Sequence, residues 1–291
     1  MSFFNYNFTP LIIPKFPTVT PDEYKGPKRL RREEIQQMLG FCDSYRGRLL
    51  LLIGAETGFR VRALSALTLR FLVKLEDGSK EGVPVERLED LSTVRIPCRV
   101  QLPKRFYFGM KKEGIGFLCG DAVKTIAEYL KRRKEQGEPI GPETPLLPTY
   151  RARLKLLVSG STTPVYLNEW HQVGTKVLTR NHPGSHRSNS TVEAEVLEMN
   201  VSCSRDFVLE KTLKRLRVLV GIRHDPECER PPSIHSLRKY LHATLDSASV
   251  NATMVNVIVG HSNSIAEHYS GKKYLDLEEI RYAYEAERWD T

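Results

Sequence analysis

The sequence predicts a mixed α/β fold, mostly α-helical with a small antiparallel sheet. Two observations carry this. Apolar residues recur at helical spacing through most of the chain, from Arg31 to Trp289. One block, Thr93 to Leu118, instead groups β-branched and aromatic residues into short runs separated by turn residues. Helix ends are marked as well: Ser233 after Pro231-Pro232 is an N-cap signal, and Gly58 and Gly260 are C-terminal stops.

Residues 1–27 are rich in aromatics and proline, which predicts an extended arm packing on its own domain, a neighbouring molecule or DNA. Residues 28–291 read as one domain. Ile35, Met38, Leu39 and Cys42 share one face of a first helix, and a more buried helix runs through Leu49–Ala55 to a stop near Gly58. Thr57-Gly-Phe-Arg-Val-Arg-Ala-Leu follows, with Arg60 and Arg62 on different sides of the next helical segment. The strand block comprises Val94 and Ile96, then Val100 and Leu102, then Phe106–Phe108, then Ile115, Phe117 and Leu118, with Gly109–Gly114 as a turn. Val123, Ile126, Ala127 and Leu130 predict an amphipathic helix over Asp121–Glu135.

Between about 160 and 204 the composition turns polar, which predicts a long loop with a short helix near Asn168–Val173. His182 and His186 lie there, but no Cys or acidic partner accompanies them and no metal site is expected. A helix over Asp206–Val220 carries Leu209, Leu213, Leu216 and Leu219 inward and Lys211, Lys214, Arg215 and Arg217 on a basic face.

The stretch from Ser233 to Tyr269 holds the densest chemistry. Ile234, Leu237, Leu241, Leu245 and Ala248 form an apolar stripe, and His235 and Arg238 lie beside it one turn apart. Near a helix N-terminus that pair makes a phosphate-binding arrangement. A second helix carries Met254, Val255, Ile258 and Val259 inward and ends at Gly260, from which His261 departs; a short turn from Ser264 then delivers Tyr269. Leu277, Ile280 and Tyr284 put an apolar stripe on a tail, 270–291, that docks either on its own domain or on a neighbour.

With Lys+Arg 44 against Asp+Glu 35, the formal charge is +9 and the pI about 9.3, which favours a polyanionic partner, nucleic acid by default. The five cysteines are dispersed and form no C-x-x-C pair, so the sequence predicts reduced thiols and neither a zinc site nor a disulfide framework. The longest apolar run, Leu49–Ala55, is far too short for a bilayer, and no signal-peptide pattern precedes it. A cytoplasmic location is the expectation.

His235-Ser-Leu-Arg238, then Gly260-His261-Ser, then Tyr269, together with the Arg60 segment, resembles the signature of tyrosine recombinases, the phage-integrase family. The helix reading His-Ser-Leu-Arg-Lys-Tyr-Leu is similar to that of its archaeal branch. The likeness covers roughly Arg29 to Trp289 and implies the catalytic domain of a DNA breaking and rejoining enzyme. Arg60 matches the family's first arginine, although Ala63 stands where an acidic residue is usual. Lys111 or Lys112 sits where the family carries a lysine on a hairpin, with Lys104 a further candidate. Tyr269 follows His261 one residue sooner than usual, and Tyr274 is held in reserve as the nucleophile.

The resemblance further implies double-stranded DNA at specific attachment sites as partner, a homotetramer on DNA from a monomer or weak dimer in solution, no metal or other cofactor, and a setting in a mobile element or chromosome. Most relatives carry a separate N-terminal core-binding domain; either this chain is a fragment or its arm is what remains. Two other functions stay open: a type IB topoisomerase, and a catalytically silent DNA-binding relative.

Overall fold

The computed structural model describes residues 29–74, 82–94, 96–103, 114–156, 159, 161–167, 174–180, 190–222 and 231–259. The expected arm, the C-terminal tail and the helix near Asn168 lie outside these residues.

Helix α1 (Arg32–Gly40) begins where the Glu34 carboxylate accepts the Arg31 N–H at 2.8 Å, and it buries Ile35, Met38 and Leu39. Helix α2 (Tyr45–Thr57) starts four residues before the Leu49–Ala55 apolar run, because the Ser44 hydroxyl accepts the Gly47 N–H at 3.3 Å and caps it. Its residues from Leu49 to Thr57 are all buried, as a helix apolar on every side requires. Around α2 pack α1, α3 (Val61–Ser65), α4 (Gly120–Glu135), α5 (Asp206–Leu219) and α6 (Ile234–Ser247). Helix α7 (Ala252–Val259) joins α6 through a second apolar cluster of Leu241, Leu245, Val250, Met254, Val255 and Ile258.

The first antiparallel sheet has order β2-β1-β3-β4, with β1 at Leu72–Lys74, β2 at Val83–Pro84, β3 at Cys98–Leu102 and β4 at Gly114–Leu118. Strands β3 and β4 are the pair expected from the Val100/Leu102 and Ile115/Phe117 runs; Val100 faces Gly116 in their register. Val94 and Ile96 are not in a strand: a 3₁₀ segment, Leu88–Thr93, precedes them. The Asp90 carboxylate there accepts the Arg87 N–H at 3.0 Å, a local bond that competes with strand pairing.

The largest departure concerns the expected polar loop. Strands β5 (Pro148–Leu156), β6 (Thr162–Leu167), β7 (Gly174–Arg180) and β8 (Ser190–Cys203) form a second antiparallel sheet in the order β6-β5-β8-β7. Helix α5 also departs in detail. Leu209, Leu213 and Leu216 are buried as expected, but Leu219 is half exposed, and Arg217 leaves the basic face to bury itself and donate to the Pro232 carbonyl at 2.8 Å.

Beyond α4 the chain reverses at Gly137, whose φ of 89° is open to glycine. The reversal lets the Glu138 N–H reach the Arg133 carbonyl at 3.0 Å and sets the two side chains together. Arg133 and Glu138 are 1% and 2% exposed. Arg133 Nε donates to Glu138 Oε2 at 2.9 Å, the Tyr150 hydroxyl donates to the same oxygen at 3.0 Å, and Arg133 Nη1 donates to the Pro145 carbonyl at 2.6 Å. Burial pushes the Tyr150 phenol well above its ordinary range.

The network predicts that Glu138→Ala lowers the unfolding free energy by about 3–5 kcal/mol, since it leaves a buried guanidinium without its carboxylate; urea titration checks it. Cys42, Cys98, Cys119 and Cys203 are free thiols, and burial pushes Cys98 up to about 12. Its alkylation near neutral pH should therefore be on the order of 10³-fold slower in the native protein than in urea, measured by mass spectrometry of the Cys98 peptide.

Candidate functional site

The site is built around the C-terminal end of α2. Thr57 Oγ1 donates to the Ile53 carbonyl at 2.6 Å and accepts the Phe59 N–H at 3.3 Å, which ends the helix and starts a turn. Gly58 caps it in the left-handed region, with φ 59° and ψ 20°, and its N–H reaches the Gly54 carbonyl at 3.1 Å. Phe59 is then buried and Arg60 is exposed, in extended backbone as the N-cap of α3.

Helix α6 crosses α2 closely at its glycines. A Cβ on Gly54 would lie 2.7 Å from Leu237 Cδ1, and one on Gly58 would lie 3.0 Å from Leu241 Cδ2 and 3.6 Å from Arg238 Cα. That approach lets Arg238, 3% exposed, donate from Nη1 to the Gly58 carbonyl at 3.0 Å. Arg238 and the Arg60 turn are thus brought together, with Gly58 only two residues before Arg60 in the chain.

His235 is exposed in the first turn of α6, one turn before Arg238. The helix starts there because the Ser236 hydroxyl accepts the Ser233 N–H at 3.0 Å. Arg238 is buried more deeply than a place beside the apolar stripe suggests. Lys104, Lys111, Lys112, His261, Tyr269 and Tyr274 lie outside the described residues.

Strand β4 also lies flush against the turn. A Cβ on Gly116 would meet Thr57 Cβ at 2.9 Å and Phe59 Cζ at 3.1 Å. Glu56, 3% exposed, accepts the Cys119 N–H on Oε2 at 2.7 Å. Sequence reasoning passed over Glu56, although a lone carboxylate closing an apolar helix was the available signal. Arg62 is an exposed residue paired with Asp206 at 3.2 Å, and Ser65 donates to the other oxygen of the same carboxylate at 3.1 Å, tying α3 to α5.

At the other end of α2 lies a cleft of about 650 Å³ lined by Arg46, Arg48, Lys124, Arg132 and Arg215, mixed with Asp43, Asp121 and Glu128. Arg215 is paired with Asp43 at 2.9 Å. The alternating signs there distinguish it from the two-arginine turn.

A guanidinium presents a planar fork of donors suited to phosphate oxygens. In Arg238 one edge of that fork is fixed by a backbone carbonyl. Arg60, exposed at the end of the same turn, carries a second such fork.

No family model matches the chain, and no curated protein matches it. Solved structures similar to it include a XerA recombinase, at 12% identity over 90% of this chain and 66% of that chain, with TM-score 0.45. A XerH site-specific recombinase bound to its difH substrate is similar at 15% identity over 88% of this chain and 53% of that one, with TM-score 0.46. An integrase from mycobacterium phage Brujita is similar at 14% identity over 89% and 60%, with TM-score 0.44. The chain therefore spans between about half and two thirds of the length of these structures.

Proposed function

We propose that the protein is a tyrosine-type site-specific DNA recombinase that cuts and rejoins duplex DNA through a 3′-phosphotyrosine intermediate. The observation that carries this reading is the meeting of Arg238 with the Arg60 turn, made by residues 180 positions apart in sequence and built on a close helix crossing. The order Arg60, His235, Arg238, His261, Tyr269 along the chain supports it, and the sequence of α6 supports an archaeal-type member acting at attachment sites of a mobile element or chromosome.

In the proposed reaction Arg60 and Arg238 hold the non-bridging oxygens of the scissile phosphate, where charge gathers in the transition state. Tyr269 attacks phosphorus, so that a tyrosyl oxygen–phosphorus bond forms while the bond to the 5′ oxygen breaks. Lys111 gives the departing oxygen its proton, and His235 and His261 donate hydrogen bonds or move protons near neutral pH. The ester bond is exchanged rather than hydrolysed, so the reverse attack by a 5′ hydroxyl reseals the strand without ATP. A homotetramer on DNA would place four such sites around two duplexes.

Tyr269→Phe should remove covalent attachment to nicked attachment-site duplexes while leaving affinity for DNA within about twofold, because only the nucleophilic oxygen is lost. An adduct that persists in this variant and disappears in Tyr274→Phe would transfer the role to Tyr274. Arg238→Ala should slow adduct formation by about 10²–10³-fold, the usual loss when one donor to a developing oxyanion is removed.

With two guanidinium groups at the phosphate, cleavage should continue in EDTA. Recovery of a lost activity by Mg²⁺ would instead indicate a metal-dependent nuclease. Relaxation of supercoiled plasmid without strand exchange between two sites would favour the topoisomerase reading.

A further inference from the structure

Glu56 is a buried ionisable group that the proposed chemistry leaves unused. It is the penultimate residue of α2, and its 2.7 Å bond to the Cys119 N–H joins that helix to the N-cap of α4, the first residue after β4. A carboxylate at 3% exposure is costly to bury without strong hydrogen bonds, and a bond from a backbone N–H to a charged oxygen is of the strong kind.

Consecutive residues of the turn are thereby held by two neighbouring elements. Glu56 is tied to Cys119; Thr57 and Phe59 lie against Gly116; and the Gly58 carbonyl is held by Arg238. Strand β4 and α6 both grip it, and they meet in the apolar cluster of Phe117, Leu241 and Leu245. Arg60 is the next residue along, and its extended backbone is continuous with this gripped segment.

We propose that Glu56 is the positioning residue for Arg60. By fixing the end of β4 against the last turn of α2, it sets where the Arg60 guanidinium stands relative to Arg238; the inference rests on the reading of those arginines as the phosphate-binding pair. Glu56 itself touches no substrate. Displacements of about 1 Å in such a pair can cost about 10²-fold in rate, so a bond behind the turn can control chemistry in front of it.

The test compares the full chain with Glu56→Ala and Glu56→Gln. The glutamine keeps an oxygen that can accept the Cys119 N–H, whereas the alanine removes the acceptor. Amide hydrogen exchange is followed in the unbound protein at Thr57–Val61 and Gly116–Gly120, with α5 as internal reference. In parallel, single-turnover adduct formation on a nicked duplex is measured at saturation, and affinity is measured separately.

For Glu56→Ala, exchange in the two gripped segments should rise about tenfold or more while α5 stays within about twofold. Adduct formation should slow by about 10- to 100-fold with affinity within about threefold, and Glu56→Gln should recover most of both losses. Should the alanine variant not fold, Glu56→Asp, which shortens the same carboxylate by one methylene, takes its place.

Unchanged exchange at Thr57–Val61, a rise spread equally over α5, or a loss of rate matched by the loss of affinity would each overturn the proposal. So would a glutamine variant as damaged as the alanine. If the unaltered protein forms no adduct on any duplex, the functional reading fails by itself, and the exchange measurements alone decide whether Glu56 holds the Arg60 turn.

Discussion

The hydrogen bond from Arg238 to the Gly58 carbonyl is the constraint on which the arrangement of this molecule depends. It can form only where two helices touch almost backbone to backbone, and that requires residues without side chains at the crossing. Gly54 and Gly58 provide them one turn apart on α2, and Leu237 and Leu241 of α6 fill the space where their Cβ atoms would be. Gly58 meets a second requirement at the same time, because the left-handed cap that turns the chain toward Arg60 favours glycine. One residue thus serves helix termination, helix packing and the placement of Arg60 at the start of α3.

The apolar character of α2 follows from the same geometry. A helix with α6 on one side, β4 on another and α1, α4 and α5 around the rest has no solvent face, and its sequence shows almost no polar residue between Leu49 and Ala55. Glu56 is the exception, and it faces a backbone N–H instead of water. Much of the fold was therefore legible. The runs of Leu, Ile and Val at helical spacing identified α1, α2, α4, α5, α6 and α7, and the Ser233, Gly58 and Pro231-Pro232 signals marked ends that the structure retains.

The second sheet was not legible, and the reason is physical. Period-two alternation is present over Tyr150–Leu156 and Val192–Val196, but the apolar half is diluted by charge on both strands, with Arg153 opposite Glu198 and Lys155 opposite Glu195. Cross-strand pairing of opposite charges suits a solvated face, and in a one-dimensional reading it looks like a polar linker. In β8 the extra residue Leu197, between Val196 and Glu198, interrupts the period of two and hides it further. At the site, His235 and Arg238 were legible as neighbours on a helix because one turn separates them. Their meeting with the Arg60 turn was not given by local spacing, since it depends on the α2–α6 crossing. Glu56 stood out locally as a carboxylate closing an apolar helix, but its bond to the Cys119 N–H joins positions 63 apart, which local spacing does not relate.

Net charge, by contrast, says less about the site than composition suggests. Arg133 is neutralised by Glu138 in the interior, Arg62 is paired with Asp206, Arg215 with Asp43, Lys74 with Asp90 and Lys134 with Glu89. Arg217, counted from the sequence as part of a basic face, is buried against a proline carbonyl. These cations brace the molecule, holding α3 to α5, α1–α2 to α5, and α4 to the segments beside it. Each such pair takes one base with one acid, so the formal excess of +9 remains after them, but the excess does not say which cations face a partner. What separates Arg60 and Arg238 from the rest is placement: one stands exposed at the N-cap of α3, the other is fixed behind it by the carbonyl of the turn that delivers the first. The functional reading accordingly rests on that placement and on the order of residues around it.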